Sequence, residues 1–600
     1  MAANEPKTRA EMDPAYQWNI EAMIPDESVI DSELKQIGEE AARYAETFRG
    51  HLTDDGQTLL AACRQRDDLW RLLEKFFVYA HMKRDEDNAV SRYQALTDRC
   101  MSVIAAVSSA LSFFSPELLA AEEEKILDYL KNTDGLEVYD FAIRNAFRLK
   151  EHVLSDSEEA ILAQMSEITG ATKDIFTMLN NADLTFAPAK DSKGEAHMVT
   201  HGSYVKLMES HDRDLRRNAY ASMYDAYQKL INTIAAAYNY HTRTDVVSAR
   251  IRRYGSSREA ALAGDNIPGE VYDNLISVVN RHLPALHRYV ALKKRLLGVD
   301  NFRMYDMYVP LVELPPRSVA FAEGLDIMRA ALKPFGQDYL DKMNEGISQG
   351  WIDVYENKGK TSGAYSFGCY DSYPYILLNY TDTLKDVFTI IHEMGHSMHS
   401  RYTREAQPYV YGSHSIFTAE VASTVNESLL LHHLLQETDD RQMRRYLLNM
   451  HLEEFRTTLF RQTQFAEFED LTHRYMEEGG QLTADWMCEE YRTLNEKYYG
   501  PAVEADGVID VEWARIPHFY NAFYVYKYAT GYSAATAISA KILTEGEPAA
   551  ARYIDFLKTG ESDHPIELLK IAGVDMSRPE PVEKAILAFE QILDEFEVLQ

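Results

Sequence analysis

The sequence predicts a predominantly α-helical protein. Apolar residues recur at three- and four-residue spacing over long stretches, whereas runs typical of strands are short and few. The sequence contains no internal repeats and no low-complexity segments. With 600 residues, of which 46% are hydrophobic, the chain can bury a large core.

The N-terminal part of the chain has the pattern of consecutive helices. Residues 32–48, 56–84 and 88–114 keep helical periodicity. Ser115-Pro116 is a favoured N-terminal pair, so it predicts the start of the next helix. The helical pattern then continues to residue 185.

A change of pattern follows between residues 184 and 205. Two strand-like runs flank the turn Lys190-Asp-Ser-Lys-Gly194, which predicts a β-hairpin at the boundary to the main domain. Long helices return after it, including an aromatic and alanine-rich helix over residues 216–240.

One extended segment, residues 358–380, interrupts the main domain. It is rich in glycine and tyrosine, and residues 375–379 are typical of a strand. A strand that leads directly into a metal-binding helix can offer its edge to an extended peptide. A purely structural β patch is the alternative, and the sequence does not separate the two.

The helix that follows carries the pattern His392-Glu393-x-x-His396. Residues i and i+4 lie on one helix face, so both imidazoles can reach one metal ion. Glu393 lies about 100° round the helix, where it can contact a water on the metal rather than the metal itself. This spacing is typical of zinc hydrolases.

The surroundings of this motif support a buried helix. Thr381, Asp382 and Thr383 are N-cap candidates, and no proline interrupts the run to Thr403. Most other positions are apolar, so the histidines and the glutamate need partners, and a metal ion can satisfy them. Two core histidines bonded to backbone groups are the alternative.

A second helix supplies the third candidate ligand. Glu420 lies 24 residues after His396 among apolar neighbours, where a carboxylate needs a cation. Two histidines and a glutamate from a following helix form a known catalytic zinc arrangement. Glu427, seven residues further on, can accept the second N–H of a ligand histidine. A solvent-facing glutamate is the alternative for Glu420.

Residues 515–532 form an aromatic stretch in which His518 is followed by five tyrosines. Buried tyrosine hydroxyls need hydrogen-bond partners, and tyrosine and histidine can stabilise an oxyanion during amide hydrolysis. A packed aromatic helix is the alternative. The pairs His399 with His414 and His432 with His433 lack the metal-site spacing and are interpreted as ordinary polar positions.

Composition limits the partners and the compartment. The formal net charge of −32 disfavours nucleic acid and anionic membranes. Four scattered cysteines, without a C-x-x-C spacing, predict reduced thiols: Cys63, Cys100, Cys369 and Cys488. No signal-peptide pattern and no uninterrupted apolar run of membrane-spanning length is visible. These features predict a cytoplasmic location.

Taken together, these motifs resemble the oligoendopeptidase F group of the M3 (thimet oligopeptidase) family of zinc metallopeptidases. The resemblance rests on residues 392–400, 417–427 and 516–531, and extends to Ser362-Gly-Ala-Tyr-Ser366 and Pro374-Tyr-Ile-Leu-Leu-Asn-Tyr380. Further similar segments are Gly264-Asp-Asn-Ile-Pro268 and Tyr305-Asp-Met-Tyr-Val-Pro310. The likeness covers the chain from about residue 110 to 590.

The resemblance implies a prolate helical body of two lobes around a deep substrate channel, with a small β patch beside the zinc helix. It implies three consecutive domains: an N-terminal helical region (1–114), an oligopeptidase F-type helical domain (115–200) and an M3-type catalytic domain (201–600). Its substrates would be short peptides, because the active site is enclosed.

The resemblance also assigns roles to residues. It implies one Zn²⁺ per chain held by His392, His396 and Glu420, with Glu393 as general base. His518 and a tyrosine are then the oxyanion donors, with Tyr526 preferred and Tyr524 second.

Several alternatives stay open at this point. The same fold can have exo-specificity, as a dipeptidyl carboxypeptidase or an aminopeptidase. Two less favoured readings are a non-catalytic peptide-binding protein and a helical scaffold with a structural metal. The sequence does not determine the oligomeric state or the cleavage-site preference.

Overall fold

A computed structural model describes residues 6–313, 317–504 and 506–600. The fold is predominantly α-helical, as predicted. In chain order, the first thirteen helices are α1 (Ile30–Phe48), α2 (Gly56–Glu86), α3 (Ser91–Leu111), α4 (Phe114–Ala120), α5 (Glu123–Asn132), α6 (Asp140–Arg148), α7 (Asp156–Met178), α8 (His201–Met208), α9 (Arg213–Lys229), α10 (Ile231–Ile251), α11 (Ser257–Ala263), α12 (Gly269–Arg281) and α13 (Leu283–Leu297).

The remaining helices are α14 (Phe321–Ala331), α15 (Gln337–Ser348), α16 (Leu384–Ala406), α17 (Ile416–Glu437), α18 (Arg441–Glu454), α19 (Arg461–Glu477), α20 (Ala484–Tyr499), α21 (Tyr526–Glu545), α22 (Glu547–Leu557), α23 (Pro565–Ile571) and α24 (Glu580–Val598). Five short strands accompany them, namely β1 (Ala189–Lys190), β2 (Ala196–His197), β3 (Ile352–Asp353), β4 (Tyr365–Phe367) and β5 (Tyr375–Leu377).

Two compact units divide the described residues, and each combines separated stretches of chain. The first unit lies within Met1–Lys150, Pro316–Leu434 and Ile538–Val574, and the second within Glu151–Pro315, Leu435–Ala537 and Asp575–Gln600. The limits of these units differ from those of the three consecutive domains expected from the sequence. The three-domain division and the deep substrate channel both stay predictions.

The N-terminal helices of the first unit follow the predicted pattern. Helices α1, α2 and α3 pack against one another, and their bounds agree closely with the periodic stretches of the sequence. Within the described residues, one helical stretch, Ser91–Ala120, is long and apolar enough to cross a membrane. Core helices pass the same test, so this is weak support for a membrane span.

In the second unit the predicted hairpin is confirmed. Strands β1 and β2 pair antiparallel, with Ala189 opposite His197. The single helix expected over residues 216–240 is instead two helices, α9 and α10, which meet at Leu230. The periodicity runs through this junction, so the sequence pattern does not show the break.

The β patch of the first unit has three strands in the order β3-β5-β4. β5 pairs in parallel with β3 and antiparallel with β4, and all three of its residues are buried. The expectation that residues 375–379 offer a free edge is therefore wrong, because β5 is the central strand. β4 is an outer strand, and it packs against α16. The hydroxyls of Ser366 in β4 and Ser397 in α16 lie 2.8 Å apart.

Helix α16, which carries the His-Glu-x-x-His motif, begins with a capping box. The Thr383 hydroxyl accepts the Asp386 N–H, and the Asp386 carboxylate accepts the Thr383 N–H at 2.9 Å. Asp386 also accepts hydrogen bonds from Thr381. These contacts fix the residue at which the helix begins.

A glycine permits the close approach of α17 to α16. A Cβ atom on Gly395 would lie 2.7 Å from both the carbonyl oxygen of Ala422 and the Cα of Ser423. Both are backbone atoms, so relief requires movement of α17 rather than of a side chain. Gly395 thus allows Glu420, one turn before Ser423, to come close to the histidines of α16.

We predict that Gly395→Ala destabilises the protein by about 1–3 kcal/mol, because the added methyl overlaps the backbone of α17. Gly38→Ala in α1 is the matched control, since a Cβ there meets no atom within 4 Å. Alanine is the better helix former, so the control is expected to stabilise by about 0.5–1 kcal/mol. Denaturant unfolding measures both. Equal stability of the two variants would contradict the close-packing account.

Candidate metal centre

Three side chains from α16 and α17 converge in the first unit. The Nε2 atoms of His392 and His396 lie 3.6 and 3.8 Å from Oε2 of Glu420. One ligand atom from each of the three residues lies within 4.8 Å of the other two. The centroids of the two imidazole rings are 4.9 Å apart, and the rings are nearly perpendicular.

These distances fit a single tetrahedral metal ion. Zinc bound at about 2.1 Å by imidazole and carboxylate holds its ligand atoms roughly 3.4 Å apart. The two observed separations from the Glu420 oxygen, 3.6 and 3.8 Å, are close to that value. Two nitrogen donors and one carboxylate leave a fourth position free for water, which is the ligand set of a catalytic zinc site.

Further contacts orient two of these side chains. The Nδ1 of His392 lies 3.3 Å from Oε1 of Glu427, so its N–H faces that carboxylate and Nε2 is left for the metal. The predicted role of Glu427 as a partner of a ligand histidine agrees with this geometry. The Ser423 hydroxyl, 3.1 Å from Oε2 of Glu420, donates to that carboxylate.

The charges of the site act strongly on one another. Burial lowers the pKa of His392, but the hydrogen bond and charge of Glu427 outweigh it and raise the pKa to about 9. Burial and the charge of His392 lower the pKa of His396 to about 4. A bound cation would favour the neutral form of both imidazoles, because it repels their protons.

Glu393 lies beside the ligands without being one of them. Its side chain is 7% exposed, and its carboxylate accepts the backbone N–H of Ser366 in β4. Burial raises the pKa of Glu393 to about 7, opposed by the charge of His392 and reinforced by Glu420 and Glu427. The helix turn of about 100° per residue keeps Glu393 off the metal-facing line and next to it.

His399 and His414, which lack the metal-site spacing, form a pair close to His396 of the candidate metal centre. The rings of His399 and His414 stack at 4.2 Å, and His399 is 1% exposed. Burial lowers the pKa of both groups, which are held neutral in the core. Their stacked rings show packing rather than convergence on a metal.

The aromatic residues expected to act as oxyanion donors lie in the second unit. His518 and Tyr524 stack with ring centroids 6.0 Å apart, and Tyr528 meets both rings edge-on. Burial lowers the pKa of His518, which favours the neutral ring at pH 7. Tyr526, the preferred tyrosine, is instead fully buried with its ring 5.1 Å from Tyr272. Tyr524 is partly exposed, and the choice between the two tyrosines as oxyanion donor stays a prediction.

A helical protein that presents such a site belongs to the class of metallopeptidases. The sequence profile of peptidase family M3 matches residues 206–587, and that of oligopeptidase F matches residues 117–186. Oligopeptidase PepF of Bacillus subtilis (strain 168) is 44% identical over 597 residues, covering 100% of this chain and 89% of the relative. The chain belongs to peptidase family M3.

Further relatives agree over the full length. Group B oligopeptidase PepB of Streptococcus agalactiae serotype III (strain NEM316) is 42% identical over 98% of each chain. The crystal structure of oligoendopeptidase-F from Enterococcus faecium is 39% identical, with a TM-score of 0.76 over 95% of this chain and 98% of that one. The resemblance stated from the sequence is thereby confirmed.

We predict that Glu427→Ala weakens metal binding by about 10- to 100-fold, because His392 loses the partner that orients its ring. Glu427→Gln is expected to lose less metal affinity than Glu427→Ala, since the amide oxygen still accepts a hydrogen bond from the imidazole N–H. Glu437→Ala, at the exposed end of α17, is the control. Competition with a chelator measures all three, and an unchanged affinity in Glu427→Ala would refute the orienting role.

Proposed function

We propose that the chain is a zinc-dependent endopeptidase that hydrolyses internal bonds of short oligopeptides, with Glu393 as general base. The observation that carries this proposal is the convergence of His392, His396 and Glu420 within 4.8 Å, next to the buried carboxylate of Glu393. The names of the relatives, which are oligopeptidases and an oligoendopeptidase, support the substrate class.

His392, His396 and Glu420 would hold the zinc ion, one per chain. When bound, zinc lowers the pKa of a coordinated water and polarises the carbonyl group of the substrate. The donor set supports zinc, because it combines two imidazoles with one carboxylate. Glu427 and Ser423 keep the ligand atoms turned toward the metal position.

Glu393 moves the protons of the reaction. It accepts a proton from the attacking water and then delivers it to the amine nitrogen that leaves. A pKa near 7 suits both steps, although a bound cation would lower the pKa that burial raises. The Ser366 N–H donates a hydrogen bond to this carboxylate, so strand β4 helps to position the base.

In this proposal an extended peptide binds beside the outer strand β4. β5 is paired on both sides, but β4 pairs only with β5 among the described strands. A peptide added beside β4 would run next to Ser366 and therefore next to Glu393. His518 and Tyr524 as oxyanion donors stay a prediction from the family resemblance.

We predict that Glu393→Gln keeps its zinc and loses roughly 100- to 10,000-fold in kcat/KM, because glutamine cannot accept the proton of the water. Metal analysis and hydrolysis of a quenched peptide measure the two properties on one sample. Glu405→Gln, an exposed position on the same helix, is the matched control. Substantial turnover by zinc-replete Glu393→Gln would refute the assignment of the base.

A further inference from the structure

The aromatic segment, defined as residues 518–528, contains a backbone conformation that needs an explanation. Phe523 has a φ of 54°, in the left-handed region that bulky side chains rarely adopt. Such strain persists only where the surrounding structure holds it, and it is concentrated at functional sites. The residue next to it is Tyr524, whose ring stacks on His518.

A fully buried glutamate holds this residue. Oε1 of Glu469 in α19 accepts the N–H of Phe523 at 2.8 Å, and Glu469 is 0% exposed. The ring of Phe523 packs against His473 and Tyr272, with centroids 4.6 and 5.7 Å away. The strained residue is therefore fixed through both its backbone and its side chain.

The chemical state of Glu469 fits an acceptor role rather than an ion pair. Its second oxygen, Oε2, is buried without a hydrogen-bond partner among the described residues. Burial raises the pKa of Glu469 to about 8, opposed by the charge of His473 and increased by Asp245 and Asp470. Within the described part of the chain Glu469 forms no direct ion pair, so its burial costs folding stability.

A second carboxylate fixes the far end of the aromatic segment. Oδ2 of Asp265 accepts a hydrogen bond of 2.8 Å from the Lys527 ammonium group. Asp265 belongs to the segment Gly264-Asp-Asn-Ile-Pro268, which the metal centre does not use. Glu469 and Asp265 thus hold the chain on both sides of Tyr524, while His518, Tyr524 and Tyr528 remain partly exposed.

We propose that Glu469 is a positioning residue, which holds Phe523 in its left-handed conformation and thereby sets the placement of His518 and Tyr524 for peptide hydrolysis. This inference rests on the proposed function. It assigns no contact between Glu469 and the substrate, because the carboxyl group is buried beneath the segment.

Two substitutions of Glu469 separate positioning from packing. Glu469→Gln keeps an oxygen acceptor of the same shape, so we expect near wild-type kcat and a protected Phe523 amide. Glu469→Leu removes the acceptor without leaving a large cavity, and we expect kcat to fall about 10- to 100-fold with a smaller change in KM. Hydrogen–deuterium exchange should show that the Phe523 amide loses protection in Glu469→Leu only.

Glu467→Leu is the control on the same helix, because Glu467 binds Lys497 and Tyr498 rather than the aromatic segment. It is expected to leave kcat and the exchange at Phe523 unchanged. A folded, zinc-replete Glu469→Leu with wild-type kcat would overturn the inference. A Glu469→Gln whose kcat falls as far as that of Glu469→Leu would also overturn it.

Exchange in the unmutated protein keeps the test independent of folding and of activity. If the Phe523 amide of the unmutated protein exchanges as fast as an unprotected amide, its hydrogen bond to Glu469 does not hold this residue, and the inference is refuted even if Glu469→Leu fails to fold. If the unmutated protein cleaves no peptide, the proposed function fails. In that case a protected Phe523 amide would show that Glu469 holds Phe523 as a structural feature, while the absence of cleavage would refute its role in catalysis.

Discussion

Two imidazoles and three carboxylates gathered on α16 and α17 are the constraint on which the first unit depends. Although the side chains of His392, His396, Glu420 and Glu427 are 18–37% exposed, charged groups packed this closely need a cation or hydrogen-bond partners. The structure meets this need with three ligand atoms at metal-binding distance, a carboxylate behind His392 and a backbone N–H for Glu393. The capping box at Thr383 fixes the start of α16, and Gly395 permits the close approach of α17 to it.

The second unit contains a comparable device with a different chemistry. There a buried carboxyl group accepts the N–H of a strained backbone residue beneath an aromatic surface. Glu393 and Glu469 are both buried glutamates with raised pKa values, and each accepts a backbone N–H, but only Glu393 also lies beside the histidines of the candidate metal centre. The environment of each carboxyl group, and not its residue type, determines what it can do.

Local features of the site were predictable from the sequence, and long-range ones were not. The spacing of His392 and His396 predicts that pair, because helix geometry alone brings residues i and i+4 to one face. Glu420 lies on α17, and only its apolar neighbours indicate that it needs a cation. The central position of β5 depends on pairing with β3, more than twenty residues away, which no local pattern encodes. Local context favours Tyr526 over Tyr524, but it does not show that Tyr526 is buried against Tyr272 of another helix. The sequence does not indicate the role of Glu469, because a glutamate in a helix normally faces solvent.

The central claim is that the metal centre cuts internal peptide bonds. Its most direct test is hydrolysis of an internally quenched peptide blocked at both ends, with and without o-phenanthroline, with mass spectrometry to locate the cut. We predict internal cleavage that the chelator abolishes and added zinc restores. A second peptide has the same sequence with free ends. Trimming of this peptide, without cleavage of the blocked one, would point to exo-specificity on the same fold. Failure of the zinc-loaded protein to cut either peptide would contradict the account and favour a peptide-binding protein.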